Sequence, residues 1–367
     1  MKKLVILVMI VAVLGFPLYV FAASAGEVPR NAISVEEAVE IALKNNRQII
    51  IDDLEIQSRE KALAIAKENA AMASDAFGPE SILNNRIRKE VRVKEAEANL
   101  ETARRKKQDN IEKLKLNISS TFNNILLAQK ELEKELRKLE IAEEKYEIAK
   151  SKYNIRSISE DTLSNIEYEV ISRSLSVESA KEKLKSLDIR LKDLLGLDLD
   201  GPELVINGEI NMADFEELDI DLLVAETIDS DTGVFSAAGK YNVAKRIMEL
   251  TEELIKPDTE IYIGNKINLE TALRDYIAAK RNREVDIRNS YNDLLNLRDN
   301  VDLALRYEEL QKRKLENAKT RYEAGKITKE EYLQAEESFI DAVYNKYRAI
   351  CDFNIKYENF LTMIKAK

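Results

Sequence analysis

The chain of 367 residues has no histidine and no tryptophan, one cysteine, five prolines and ten glycines. Without histidine it lacks the commonest general base and metal ligand. A lone thiol, Cys351, forms neither an intrachain disulfide nor a thiolate metal cage. It sits mid-helix on an apolar flank and reads as a small buried filler rather than a reactive group. There is no P-loop, no nucleophile–base set and no metal-ligand spacing, so the expectation is a non-enzyme with no cofactor and no metal site. The adjacent carboxylates Glu36/Glu37 and Asp52/Asp53 are not catalytic pairs, because helix neighbours at i,i+1 point to different faces. A basic footprint is missing too: the formal net charge is −10, which argues against nucleic acid as a partner.

Only one stretch is apolar enough for a bilayer, and it opens the chain. Met1-Lys2-Lys3 precedes an uncharged run from Leu4 to Ala25, closing on Ala23-Ser24-Ala25. This has the form of a secretory signal peptide over residues 1–25 with an A-x-A cleavage site. An uncleaved anchor is the other reading of the same run. No cysteine follows the run, so it is not a lipoprotein leader. The mature chain is expected to work in the cell envelope, outside the cytoplasmic membrane.

What the chain has in quantity is charge, at 34%, interspersed in sign along Gly- and Pro-poor stretches. That composition points to long helices and coiled coil. Ser34-Val-Glu-Glu37 is a capping box opening a helix expected to reach about Ser74. Phe77-Gly78-Pro79 breaks it. From Glu80 to Leu195 there is neither Gly nor Pro. Within it Ile118, Ile125, Leu132, Leu139, Tyr146 and Tyr153 recur every seven residues, the pattern of helices wound into a left-handed supercoil. The expected helix runs from about Leu83 to Asn154. A turn at Ile155–Ser159 follows, with Ser159 as N-cap of a return helix ending at Leu195-Gly196.

Residues 196–218 form a linker containing Gly and Pro, with strand character at Leu204–Ile206. Helix resumes near Ile220 and runs to about Ile255, weakened at Asp229–Gly233. Lys256–Asn268 is a second break with a possible short strand at Glu260–Ile263. A long helix is then expected over Leu269–Ala324, and a last one after the turn at Gly325, over 328–364. The seam of the long helix, every seven residues, is Ile287, Leu294, Val301, Glu308, Leu315 and Tyr322, where Glu308 is out of character.

An offset of 169 residues carries Tyr153, Arg156, Ile158 and Ser159 onto Tyr322, Gly325, Ile327 and Thr328, without a gap from Ile118/Ile287 to Leu195/Ile364. The chain is therefore a tandem duplication. Its expected organisation is the signal peptide, a first helical hairpin over 26–195, the linker 196–218 and a second hairpin over 219–367. The fold class is all-α, two long coiled-coil hairpins with a short mixed linker. Each repeat carries one long helix flanked by two shorter ones stacked end to end. The linker falls where the shorter ones meet. Such a slab has two free lateral edges, and copies added edge to edge close into a hollow cylinder.

With the opening ISVEEAVEIALKNN, the paired repeats and above all RYEAGKITKEEYLQAEESF, the chain resembles the TolC family of outer-membrane efflux ducts. The resemblance covers almost the whole mature chain. It implies a trimer forming a periplasmic tunnel, docked at its hairpin tips to a periplasmic adaptor protein and an inner-membrane transporter, and passing small molecules or polypeptides. It places the docking tips at Arg156, Ser157, Ile158 and Ser159 in repeat one and at Tyr322, Gly325, Lys326, Ile327 and Thr328 in repeat two. The acidic pair that narrows the tunnel in some members falls on Glu331 and Gln334, so one acid remains. Lys326 is the better match to a basic residue that helps hold some members closed. Because Arg156 stands where repeat two has Gly325, the two tips are expected to differ towards a partner.

Structural readings stand beside these. Gly325 also suits a left-handed helix C-cap, and Glu331 also suits a solvated helix charge. The family's four membrane strands find no room: the slots at 78–82 and 257–268 are shorter than the 9–11 residues each such strand needs. A secreted or periplasmic coiled-coil scaffold without a transport pore is the alternative function.

Overall fold

The structure is a computed structural model that describes residues 32–73 and 77–365. The proposed leader over 1–25 lies outside the described residues. The elements are α1 (Val35–Asn45), α2 (Arg47–Ala71), α3 (Pro79–Arg86), a π-turn at Ile87–Val91, α4 (Arg92–Asn154), α5 (Glu160–Leu195), α6 (Ile220–Thr227), a 3₁₀ turn at Ile228–Ser230, α7 (Thr232–Leu254), α8 (Glu260–Glu323) and α9 (Lys329–Ile364). The fold is all-α, as the composition and periodicity indicate. Among the described residues no helix is long and apolar enough to cross a membrane.

Helix ends follow local chemistry. The capping box at Ser34 is formed in both directions, with Ser34 Oγ accepting from Glu37 N at 3.2 Å and Glu37 Oε2 accepting from Ser34 N at 3.0 Å. The helix begun there is not continuous to Ser74. Asn46 leaves helical geometry (ψ 116°) and caps α2 through its side chain, which accepts from Gln48 N and Ile49 N. Asn carries a short amide that competes with the helix backbone, and here it wins. The break lets Asn45 Nδ2 donate to the carbonyl of Leu195 at 2.9 Å, where α5 ends. Gly196 follows with φ +65°, and a Cβ there would stand 2.8 Å from Asn45 Cβ, so only glycine fits.

Both strand expectations are corrected. Glu260–Ile263 is the first turn of α8, capped by Thr259, whose side chain accepts from Tyr262 N. The cap starts α8 nine residues ahead of the expected Leu269, so β-branched composition at Ile261 and Ile263 yields to helix initiation. Leu204–Ile206 does not pair into a sheet either. It makes one isolated parallel bridge, between Ile33 and Ile206. Among the described residues there is no strand.

Two helices span the molecule. α4 and α8, of 63 and 64 residues, are each about 95 Å long at ~1.5 Å per residue. α4 packs against α5, α2, α9 and α7; α8 packs against α9, α7 and α6. Towards the tips the order across the slab is α5, α4, α9, α8. Away from the tips it is α2, α4, α7, α8.

The apolar core lies mainly at mid-height. One cluster joins Ile118, Phe122, Leu191 and Leu195 with Ala38 and Ala42. A second joins Ile287, Tyr291, Leu294, Phe353 and Phe360, and Leu127 of α4. A third, at the end away from the tips, gathers Leu83, Val91, Leu250 and Ile255. Cys351 is fully buried in the second, its Sγ 3.8 Å from the carbonyl of Asn123, and burial pushes its thiol up to about 12. It is a filler.

The linker straps across this core. Leu204 N donates to Asp188 Oδ1, and Lys192 Nζ donates to the carbonyl of Gly201. Further on, Ala213 N donates to Asn354 Oδ1, and Asn354 Nδ2 donates to the carbonyl of Asn211. Outside the bridge to Ile33, these side chains take up linker backbone groups that no sheet pairs.

Candidate functional site

The two hairpin tips have the same backbone. In repeat one Arg156 N donates to the Tyr153 carbonyl and Ser157 N to the Lys152 carbonyl, both at 2.8 Å. In repeat two Gly325 N donates to the Tyr322 carbonyl at 2.9 Å and Lys326 N to the Arg321 carbonyl at 2.8 Å. Arg156 has φ +62° and Gly325 φ +65°. Among the described residues Arg156 is the one non-glycine with positive φ. A Cβ there crowds the following carbonyl at about 1–2 kcal/mol. The difference expected between the tips thus lies in the side chain, a guanidinium against a hydrogen, and not in the course of the chain.

After each apex an N-cap starts the return helix. Ser159 Oγ accepts from Thr162 N at 3.2 Å. Thr328 Oγ1 accepts from Glu331 N at 3.2 Å, and Glu331 Oε2 accepts from Thr328 N at 2.8 Å, a complete capping box. The carboxylate of Glu331 therefore has a local structural role whatever else it faces. Gln334 is one turn further on and exposed, as are Arg156, Ser157, Ser159, Tyr322, Gly325, Lys326 and Thr328; Ile158 and Ile327 are half-buried beneath the turns.

The structure adds residues that sequence reading did not single out. Lys152, in the last turn of α4, is paired with Glu330 in the first turn of α9. That lysine holds the Glu330 carboxyl below the usual carboxylate range. Glu144 of α4 and Lys329 of α9 pair at 3.2 Å. Lys329 also lies over Tyr322 and Tyr332, whose rings stack with centroids 5.5 Å apart. The two tips are thus tied together by charge. No sequence signal announces this, because α4 and α9 belong to different repeats and the internal offset compares equivalent helices, not contacting ones.

Phe77 projects into solvent between α2 and α3, and residues 255–259 join α7 to α8. Below them Arg86, Glu90, Arg246 and Glu253 interlock α3, the π-turn and α7.

No family model matches the sequence, and no curated protein matches it. Solved structures do. The Campylobacter jejuni CmeC outer membrane channel superposes with TM-score 0.66 at 15% identity, over 90% of this chain and 85% of that one. The outer-membrane channel OprN gives 0.68 at 13% identity, over 91% and 90%. The Vibrio cholerae outer membrane protein VceC gives 0.66 at 11% identity, over 90% and 95%. The chain has the fold of TolC-family outer-membrane channels, and what it shares with them is the helical tunnel part.

Proposed function

We propose that this protein is an export component of the cell envelope, whose copies assemble side by side, as a trimer, into a helical tunnel. The observation that carries the reading is the pair of free lateral edges. Ile171 and Leu175 of α5 and Leu303 and Leu310 of α8 are large apolar side chains exposed in the single chain. A row of such residues along a helix edge marks an interaction surface. The shared fold with outer membrane channels supports a conduit over other helical assemblies.

In this reading the tips are the docking end, where a periplasmic adaptor and through it an inner-membrane transporter engage Arg156–Ser159 and Tyr322–Thr328. Small molecules or polypeptides are the cargo. Glu331 and Gln334 lie where a tunnel would narrow, with Glu331 anchored by its cap. The leader delivers the chain across the cytoplasmic membrane.

Sedimentation velocity on the mature protein tests the assembly, with oligomer expected at micromolar concentration. A photoreactive or thiol crosslink from Lys326→Cys to a co-expressed adaptor tests the docking. A chain that remains monomeric over a wide concentration range and gives no such crosslink is instead a coiled-coil scaffold. The observation on that side is the short turn at 255–259, where a barrel-bearing channel needs strands.

A further inference from the structure

One seam inside the chain bears on the two edges that the chain leaves free. Within the protomer α9 lies against α4, and the seam is set by ion pairs. Arg137 donates to Glu336 at 2.6 Å, Lys152 pairs with Glu330, and Glu144 pairs with Lys329 at 3.2 Å. Beside them Lys134 Nζ lies 4.1 Å from the Tyr344 ring centre.

The duplication relates α4 to α8 and α9 to α5. Carried over by 169 residues, Arg137/Glu336 becomes Arg306/Glu167, and Lys152/Glu330 becomes Arg321/Asp161. Glu144/Lys329 becomes Arg313/Glu160, with both signs reversed and the attraction kept. Lys134/Tyr344 becomes Leu303/Leu175, an apolar pair, and these two leucines are 66% and 65% exposed. Two further ion pairs of the seam, Lys145/Glu337 and Lys138/Asp341, become Lys314/Tyr168 and Tyr307/Ser172, neither of which sets like charges together. The longer contact of Lys130 with the Tyr347 ring, 5.5 Å from its centre, becomes Asp299/Glu178, two acids that each pair with a cation on their own helix, Arg298 and Lys181.

Inside one chain α5 and α8 stand at opposite edges of the slab. All six charged residues are exposed. Arg313 reaches only Glu309 of its own helix, at 3.7 Å, and the other five make no ion pair among the described residues. Solvated faces on helices that do not meet have no reason to keep complementary charge position by position, least of all through a sign reversal. A surface held against its counterpart has that reason, since like charges in contact are destabilising.

We propose that the α8 edge of one copy receives the α5 edge of the next in the register of the α4–α9 seam, with Arg306 on Glu167, Arg313 on Glu160, Arg321 on Asp161 and Leu303 against Leu175. The contact is head-to-tail, so its repetition closes a ring rather than a two-fold dimer. This rests on the assembly reading above and gives it a surface and a register.

The test uses the full mature chain, with circular dichroism confirming that every variant is folded. Arg306→Glu and Glu167→Arg should each weaken assembly about tenfold or more in sedimentation velocity, and the double variant should recover most of the loss. Leu175→Cys and Leu303→Cys together should give disulfide-linked ladders between copies under oxidation, while either alone gives none. An assembled wild type whose single charge variants are unaffected, whose double variant fails to recover, or whose cysteine pair does not crosslink overturns the register and leaves the tunnel reading standing. A wild type that never assembles overturns both.

Discussion

Lys346 Nζ donates to Glu308 Oε1 at 2.8 Å across the α8–α9 interface, with both side chains largely shielded. Glu308 is the residue that breaks the apolar seam of the second repeat. The equivalent positions of the first repeat are Leu139 and Val177. One repeat thus has two apolar residues at these positions and the other an ion pair. Glu308→Leu alone strands the ammonium of Lys346 and should cost about 1–3 kcal/mol in chemical denaturation. Adding Lys346→Val should return stability to within ~1 kcal/mol of the native chain, because the double variant restores the first repeat's chemistry.

Arg156 holds a left-handed backbone that its partner tip gives to glycine. Arg156→Gly should stabilise the first tip by about 1 kcal/mol, read as slower amide exchange at Ser157 and in the first turn of α5. If the guanidinium is what an adaptor contacts, the same variant should weaken the adaptor crosslink while making the tip more stable. A stability gain with undiminished docking would mean the side chain is not used.

The cap at Thr328 should matter more than its exposure suggests. Thr328→Ala removes the acceptor for Glu331 N and loosens the reciprocal bond, and should cost about 1 kcal/mol of protection in the first turn of α9. Glu331→Gln keeps one neutral acceptor and should cost less. A cysteine scan of tunnel accessibility at 331 and 334 then separates a capping role from a lining one.

The tie between the tips is pH dependent with a defined sign. Lys152 depresses the Glu330 carboxyl in the folded chain, so its contribution is fully present above the unfolded value near 4.3 and is lost as pH falls through the depressed folded value. Protection of the amides at the start of α9, relative to their intrinsic exchange rate, should therefore fall below about pH 4, and Lys152→Gln should flatten that fall. An unchanged profile in the variant would show that the pair does not hold the tips.

Much of the architecture was legible along the chain. Absent glycine and proline over 80–195 and apolar residues every seven positions dictate long wound helices, because backbone breakers and side-chain period act locally. Ser34 and Ser159 marked helix starts for the same reason. The strand readings at Leu204–Ile206 and Glu260–Ile263 failed because strand propensity has no local enforcer. A strand needs a partner edge, and neither segment finds one, while Thr259 supplies a cap that does act locally.

The sequence by itself determined the duplication, the two tips and which residues stand at their apices. Only the tertiary structure decided which helices meet between the repeats, α4 with α9 and α7. That Lys152 holds Glu330, that Lys346 answers Glu308, and that α5 and α8 are left as free edges are facts about helices distant in the chain. Side-chain pattern sets which face of a helix is buried, but the neighbour that buries it is chosen by packing of the whole slab. The internal repeat then becomes informative in a new way, since a seam seen once inside the chain describes the edge that the chain leaves open.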